Sequence, residues 1–140
     1  MLRGVTLALA TGLLVLAAAP AADKTAAKPA AKHIGTWSKS VDDTTITFAV
    51  KPEVLLITLK RGEQKLEAEA DYAVTKDGVL FGRIRKVTKD IDGGPAEGDL
   101  FSFRVKHDKD KVVLSDLKGT HGGGDEARNL VEGEYSTKGK

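Results

Sequence analysis

The sequence predicts an all-β protein, an antiparallel up-and-down barrel or strongly curved meander of about eight strands. Three observations carry that expectation. From His33 onward apolar and polar residues alternate in short runs, the period of a half-buried strand. Clusters of turn residues separate the runs: Val-Asp-Asp, Lys-Pro-Glu, Arg-Gly-Glu, Lys-Asp-Gly and Asp-Lys-Asp-Lys. Turns whose registers are worked out one at a time then select a common apolar face.

The chain before His33 reads differently. Met1–Ala22 has the three parts of a secretory signal peptide: Arg3 as the positive start, an apolar run from Val5 to Leu16, and small residues from Ala17 to Ala22, with a peptidase expected to cut near Ala19–Ala22. The run is shorter than the ~20 residues needed to span a bilayer. Cleavage is therefore expected, with no stable membrane insertion afterwards and a secreted or periplasmic location. Asp23–Lys32 (DKTAAKPAAK) has no apolar period and contains Pro29, so a flexible Ala/Lys/Pro tether is expected. Residues 33–140 are expected to form a single β-barrel domain. With no cysteine in the chain, the domain has to bury a sufficient core without disulfides. Net charge is only +2 and the charges are interleaved, which excludes the clustered basic face of a nucleic-acid binder.

The candidate strands are Ile34–Ser38, Thr44–Val50, Val54–Lys60, Lys65–Thr75, Val79–Val87, Leu100–His107, Val112–Leu117 and Leu130–Ser136. At Lys76-Asp77-Gly78 a two-residue loop would pair Tyr72 with Arg83 and Ala70 with Arg85, driving two arginines onto the apolar face. A three-residue loop, a type I turn closed by Gly78 in the left-handed region, sets Val74 against Leu80, Tyr72 against Gly82 and Ala70 against Ile84. On the other face Asp71 then meets Arg83 and Glu69 meets Arg85, pairs that contribute roughly 0.2–1 kcal/mol each. The turn at Pro52-Glu53 sets Val50 against Leu55, Phe48 against Ile57 and Ile46 against Leu59. The turn at Arg61–Gln64 sets Leu59 against Leu66, Ile57 against Ala68 and Leu55 against Ala70. All of these place their apolar members on one inner face.

Lys65–Val74 is rich in Leu, Glu and Ala and could be helical on propensity. Its strict alternation leading into a hairpin turn favours a strand. Further on, Phe101, Phe103 and Val105 are expected to point inward, and the Asp108–Lys111 turn permits two registers. Thr120–Asn129 is too glycine-rich for a strand, with one helical turn expected at Asp125–Asn129.

His33-Ile34-Gly35-Thr36-Trp37-Ser38 opens the first strand, and its Gly35-Thr36-Trp37 resembles the Gly-x-Trp start of lipocalin and avidin-type barrels. Over Gly35–Tyr135 the chain is similar to small exported bacterial lipocalin-like proteins of unknown function. The resemblance implies a tryptophan that closes one end of the barrel and an interior that binds a small, often apolar ligand. The chain departs from the lipocalin pattern in its short length, its lack of disulfide cysteines and of a Thr-Asp-Tyr signature, and in having no clear long helix after the barrel. Its one tryptophan, Trp37, argues against an avidin-type biotin site.

The candidate ligand-binding residues of the barrel interior are Trp37, Phe48, Ile57, Ala70, Tyr72, Ile84 and Phe103. Ala68, Ala70 and Gly82 are small residues on one inner patch. They either leave a cavity or make room for large side chains, as close packing favours. No acid, base and nucleophile can be assembled, so no enzyme is expected. His33, His107 and His121 are far apart and show no metal-ligand spacing, and neither a metal nor another cofactor is expected. His121-Gly122-Gly123-Gly124 imitates an esterase oxyanion loop without the nucleophile elbow it requires. Asp90, Asp92, Glu97 and Asp99 crowd one loop but lack EF-hand spacing. On the outer face Leu56 beside Ala49 and Phe81 beside Ala73 are expected to be exposed, a possible contact surface. Two functions stay open: a carrier or sensor of a small apolar ligand, or a ligand-free interaction or structural module of the cell envelope with an envelope protein as partner.

Overall fold

A computed structural model describes residues 31–120 and 124–138. The expected signal peptide, the tether up to residue 30, and His121 lie outside the described residues. A single 3-10 turn at Ala31–His33 leads into eight strands: β1 (Gly35–Val41), β2 (Thr44–Val50), β3 (Leu55–Arg61), β4 (Gln64–Val74), β5 (Val79–Lys89), β6 (Leu100–Asp108), β7 (Lys111–Gly119) and β8 (Gly133–Lys138). A short helix, α1 (Asp125–Val131), joins β7 to β8. Every strand pairs antiparallel with its sequence neighbours, and β8 pairs with β1, so the sheet closes as an up-and-down barrel. Closure leaves no free sheet edge.

The hairpin registers follow the alternation of apolar residues. Val50 faces Leu55, Phe48 faces Ile57 and Ile46 faces Leu59, while Leu59 faces Leu66, Ile57 faces Ala68 and Leu55 faces Ala70. Val74 faces Leu80, Tyr72 faces Gly82 and Ala70 faces Ile84 across a turn closed by Gly78 at φ 81°. The Gly78 amide donates to Thr75 O at 3.0 Å, and a Cβ at Gly78 would meet the Val105 carbonyl at 2.8 Å. A side chain there is excluded twice over, by backbone conformation and by the neighbouring strand. The Asp108–Lys111 turn takes the register in which these two residues face each other, with Lys109 at φ 52°.

The structure corrects several expectations. Glu69 faces Lys86 rather than Arg85, because a β-bulge follows Glu69 and leaves Arg85 as the extra residue. The bulge has a clear cause in the sequence. Ile84 and Val87 both turn toward the core, and strict alternation between them would aim Lys86 inward. Inserting one residue keeps Arg85 and Lys86 both in water, and Arg85 then reaches Asp71 at 3.3 Å. The same solution recurs in β7. Leu114 and Leu117 are buried with Ser115 and Asp116 between them, the register slips there, and Asp116 sits at φ 56°. The last strand begins at Gly133 rather than Leu130, because the helical turn expected at Asp125–Asn129 runs on to Val131. Leu56 is half-buried rather than exposed.

The core is one cluster containing Trp37, Phe48, Leu55, Leu80, Phe103, Leu114 and Tyr135, all at most 2% exposed. α1 contributes Ala127 and Val131 to it. Two side chains fix the C-terminal end of this helix. Lys39 Nζ donates to the carbonyls of Asn129 (3.4 Å), Leu130 (3.2 Å) and Glu132, a cation where the helix dipole is negative. Tyr135 Oη donates to Val131 O at 2.6 Å. Burial raises the Tyr135 phenol well above its usual pKa, and burial lowers that of Lys39 despite the nearby Glu132.

Candidate functional site

Three places in the barrel could carry function: its interior, the outer face of β5–β6–β7, and the end at which the chain enters β1. All seven interior candidates come together. Trp37, Phe48, Ala70, Ile84 and Phe103 are buried in the core cluster, and Ile57 and Tyr72 are half-buried against it. Tyr72 also donates its hydroxyl to the Lys51 carbonyl at the rim.

The space between these residues is taken by the protein's own side chains. Phe48 packs on Phe103 and on Tyr135, with ring centroids 5.5 and 5.6 Å apart, and Phe101 stacks on Phe103 at 5.9 Å. A side chain at Gly82 would collide with the Phe101 ring, whose tip lies 2.1 Å from the Cβ position. Gly82 and Phe101 face each other across β5 and β6, so the missing side chain makes room for a cross-strand aromatic. Phe101 is accordingly half-buried on top of glycine rather than fully inward. The small inner residues admit large neighbours here.

The outer face of β5–β6–β7 carries two adjoining grooves. One, of about 250 Å³, is lined by Phe81, Leu100, Phe101, Ser102, Lys118, Gly119 and Thr120. That is open to water and below the roughly 300–1,000 Å³ of enclosed small-molecule sites. The other, smaller groove includes Val79, Arg104 and Asp116. Phe81 and Leu100 are each about half exposed, 50% and 54%. Register places Arg83 directly opposite Leu100, and Lys118 opposite Ser102. The β7 bulge at Asp116 lies beside both grooves and brings Asp116 to 3.6 Å from Arg104.

At the β1 end, His33 and His107 meet although they are 74 residues apart. His33 Nδ1 lies 2.9 Å from His107 Nε2. His107 also packs edge-on against Trp37 at 5.8 Å. Burial, then the neighbouring His107 and Lys32, pull His33 down to about 4, and burial followed by Lys32 lowers His107 as well. Both rings are therefore neutral at pH 7. The two nitrogens share one hydrogen bond, so one ring donates and the other accepts.

Phe81 stands out in the sequence as an outward aromatic, whereas Leu100 and Lys118 carry no such mark and reach the same groove only through the β5–β6–β7 pairing. His33 and His107, far apart in sequence, are likewise joined only by the fold. The parity of the β1 and β6 ends, both at the same mouth of an up-and-down barrel, is the signal that could have joined them. Among the described residues, no group of three or more His, Cys, Asp or Glu side chains is placed to hold a metal ion. Comparison with protein-family models, with curated proteins and with solved structures finds no match for this chain.

Proposed function

We propose that the chain is exported through Met1–Ala22 and that its barrel is a binding module of the cell envelope, working through its outer surface rather than its interior. The observation that carries this reading is the side-chain packing inside the barrel. Phe101 fills the place opposite Gly82, and Phe48 is already in contact with both Phe103 and Tyr135. A ligand inside would have to displace those rings and forfeit burial worth about 1.5–3 kcal/mol for each large side chain. On the outside, Phe81 and Leu100 expose apolar surface without disturbing the core, and Arg83 and Lys118 flank them. An apolar centre within a polar rim is the anatomy of a protein contact.

The test places a photo-crosslinking residue at Phe81 or Leu100 in envelope-localised chain, with Thr58 on β3 as the control position. A discrete adduct from Phe81 and Leu100 that is missing at Thr58, and that Lys118→Glu abolishes, is expected. Equal adducts at all three positions would overturn the reading. So would a stoichiometric apolar molecule retained by the purified protein in native mass spectrometry. That result would return function to the interior lined by Trp37, Phe48, Ile57, Ala70, Tyr72, Ile84 and Phe103.

A further inference from the structure

We propose that His33 and His107 form a two-histidine site for a divalent transition-metal ion of the zinc, nickel or copper type at the β1 end of the barrel. The geometry carries this. Two ring nitrogens, Nδ1 of His33 and Nε2 of His107, face each other at 2.9 Å. Metal–imidazole bonds are ~2.0–2.1 Å, so two of them span about 2.9 Å at a right-angled metal and about 3.4 Å at a tetrahedral one. The pair thus stands at, or a few tenths of an ångström from, chelating separation before any ion arrives.

The rings are also held in place. His33 is 3% exposed and ends the 3-10 turn, while His107 lies on β6 next to the β6–β7 turn and rests against Trp37. Side chains fixed in advance lose little freedom on binding, which favours a site built from few ligands. Because both rings are neutral, binding requires no net loss of a proton. The hydrogen now between the rings moves to the other nitrogen of its own imidazole, and both facing lone pairs turn to the ion. Water fills the remaining positions. The Lys32 ammonium acts on both rings and opposes a second cation, so binding is weaker than at a site with three or four protein ligands. Imidazole selects zinc, nickel and copper over magnesium and calcium, which prefer oxygen.

Trp37 is the only tryptophan in the chain, and its packing on His107 makes it a built-in reporter. In the full chain, produced without a polyhistidine tag, Ni²⁺ is titrated while Trp37 fluorescence is followed. A saturable quench at one equivalent is expected, reversed by EDTA and displaced by Zn²⁺ but not by Mg²⁺. His33→Gln and His107→Gln should each raise the apparent Kd at least tenfold. An unsaturable quench, or one unchanged in His33→Gln, overturns the proposal. Should either variant fold poorly, imidazole ¹⁵N resonances of the unaltered chain decide. Zn²⁺ must shift those of His33 and His107, and a shift confined to His121 refutes the site.

Discussion

Replacing Gly82 with alanine tests whether the barrel interior is as full as its aromatic contacts indicate. The new Cβ would sit 2.1, 2.5 and 2.8 Å from three atoms of the Phe101 ring, against 3.4–4 Å for ordinary contact. The ring therefore has to withdraw by roughly an ångström or more, in a core whose packing leaves little slack. Overpacking of this kind costs about 1–3 kcal/mol. Loss of the Phe101–Phe103 stack adds about 0.5–1.5 kcal/mol. Against this, alanine in a strand interior is favoured over glycine by roughly 0.5–1 kcal/mol through backbone entropy. The balance is a destabilisation of about 1–2 kcal/mol, taking the lower half of the overpacking range because Phe101 is half-buried and can swing outward.

Truncating the ring removes the obstacle. In a Phe101→Ala background, Gly82→Ala should become stabilising by about 0.5–1 kcal/mol, since only the entropic gain survives. A double-mutant cycle should then show coupling of about 2 kcal/mol. Urea unfolding followed by Trp37 fluorescence measures all four corners, provided the slope with denaturant stays constant. If Gly82→Ala has the same effect in both backgrounds, or leaves the native protein unchanged, the interior has space that the ring contacts do not suggest. The proposed external function would then lose its support.

Three further outcomes follow from particular contacts. With EDTA present, His33 should make stability depend on pH: its folded value of about 4 lies below the unfolded 6.5, so the unfolded chain takes up the proton first. Stability is full above pH 6.5 and declines as pH falls toward 4, and His33→Gln should flatten that part of an unfolding-midpoint profile. Tyr135→Phe removes the bond to Val131 O while keeping the ring, and a loss of about 1 kcal/mol in denaturant unfolding is expected. Lys39→Met strips the carbonyls of Asn129, Leu130 and the C-cap Glu132 of their charged donor, with an expected cost of about 1.5–3 kcal/mol and earlier amide exchange in α1.

The fold was legible because most hairpins are local. The Thr75–Val79 turn follows from Gly78 and from the need to keep Arg83 and Arg85 off the apolar side, both readable within a dozen residues. The bulges escaped that reading, because strict alternation hides their signal: Ile84–Val87 and Leu114–Leu117 each space two core-facing residues three apart. The candidate sites are different in kind. Phe81 is only an exposed aromatic until β6 and β7 bring Leu100 and Lys118 beside it. His33 and His107 carry no local pattern at all, because their meeting depends on the whole circuit of the barrel. Alternation also cannot say whether a small inner residue such as Gly82 leaves a space or receives a ring, since that is decided by the facing strand.

The pairing of β8 with β1 has a consequence for how the chain could be rewired. Thr36 faces Lys138 across that seam, so the start of β1 and the end of β8 lie side by side. The circle of strands then has no intrinsic first member, and the starting point could be moved to another hairpin. A circular permutant joined by a short linker from Lys138 to Gly35 and opened at the Gly62-Glu63 turn would keep all eight strand pairings. It would convert the seam, now the most non-local contact, into a local one, and make the β3–β4 hairpin the last to close.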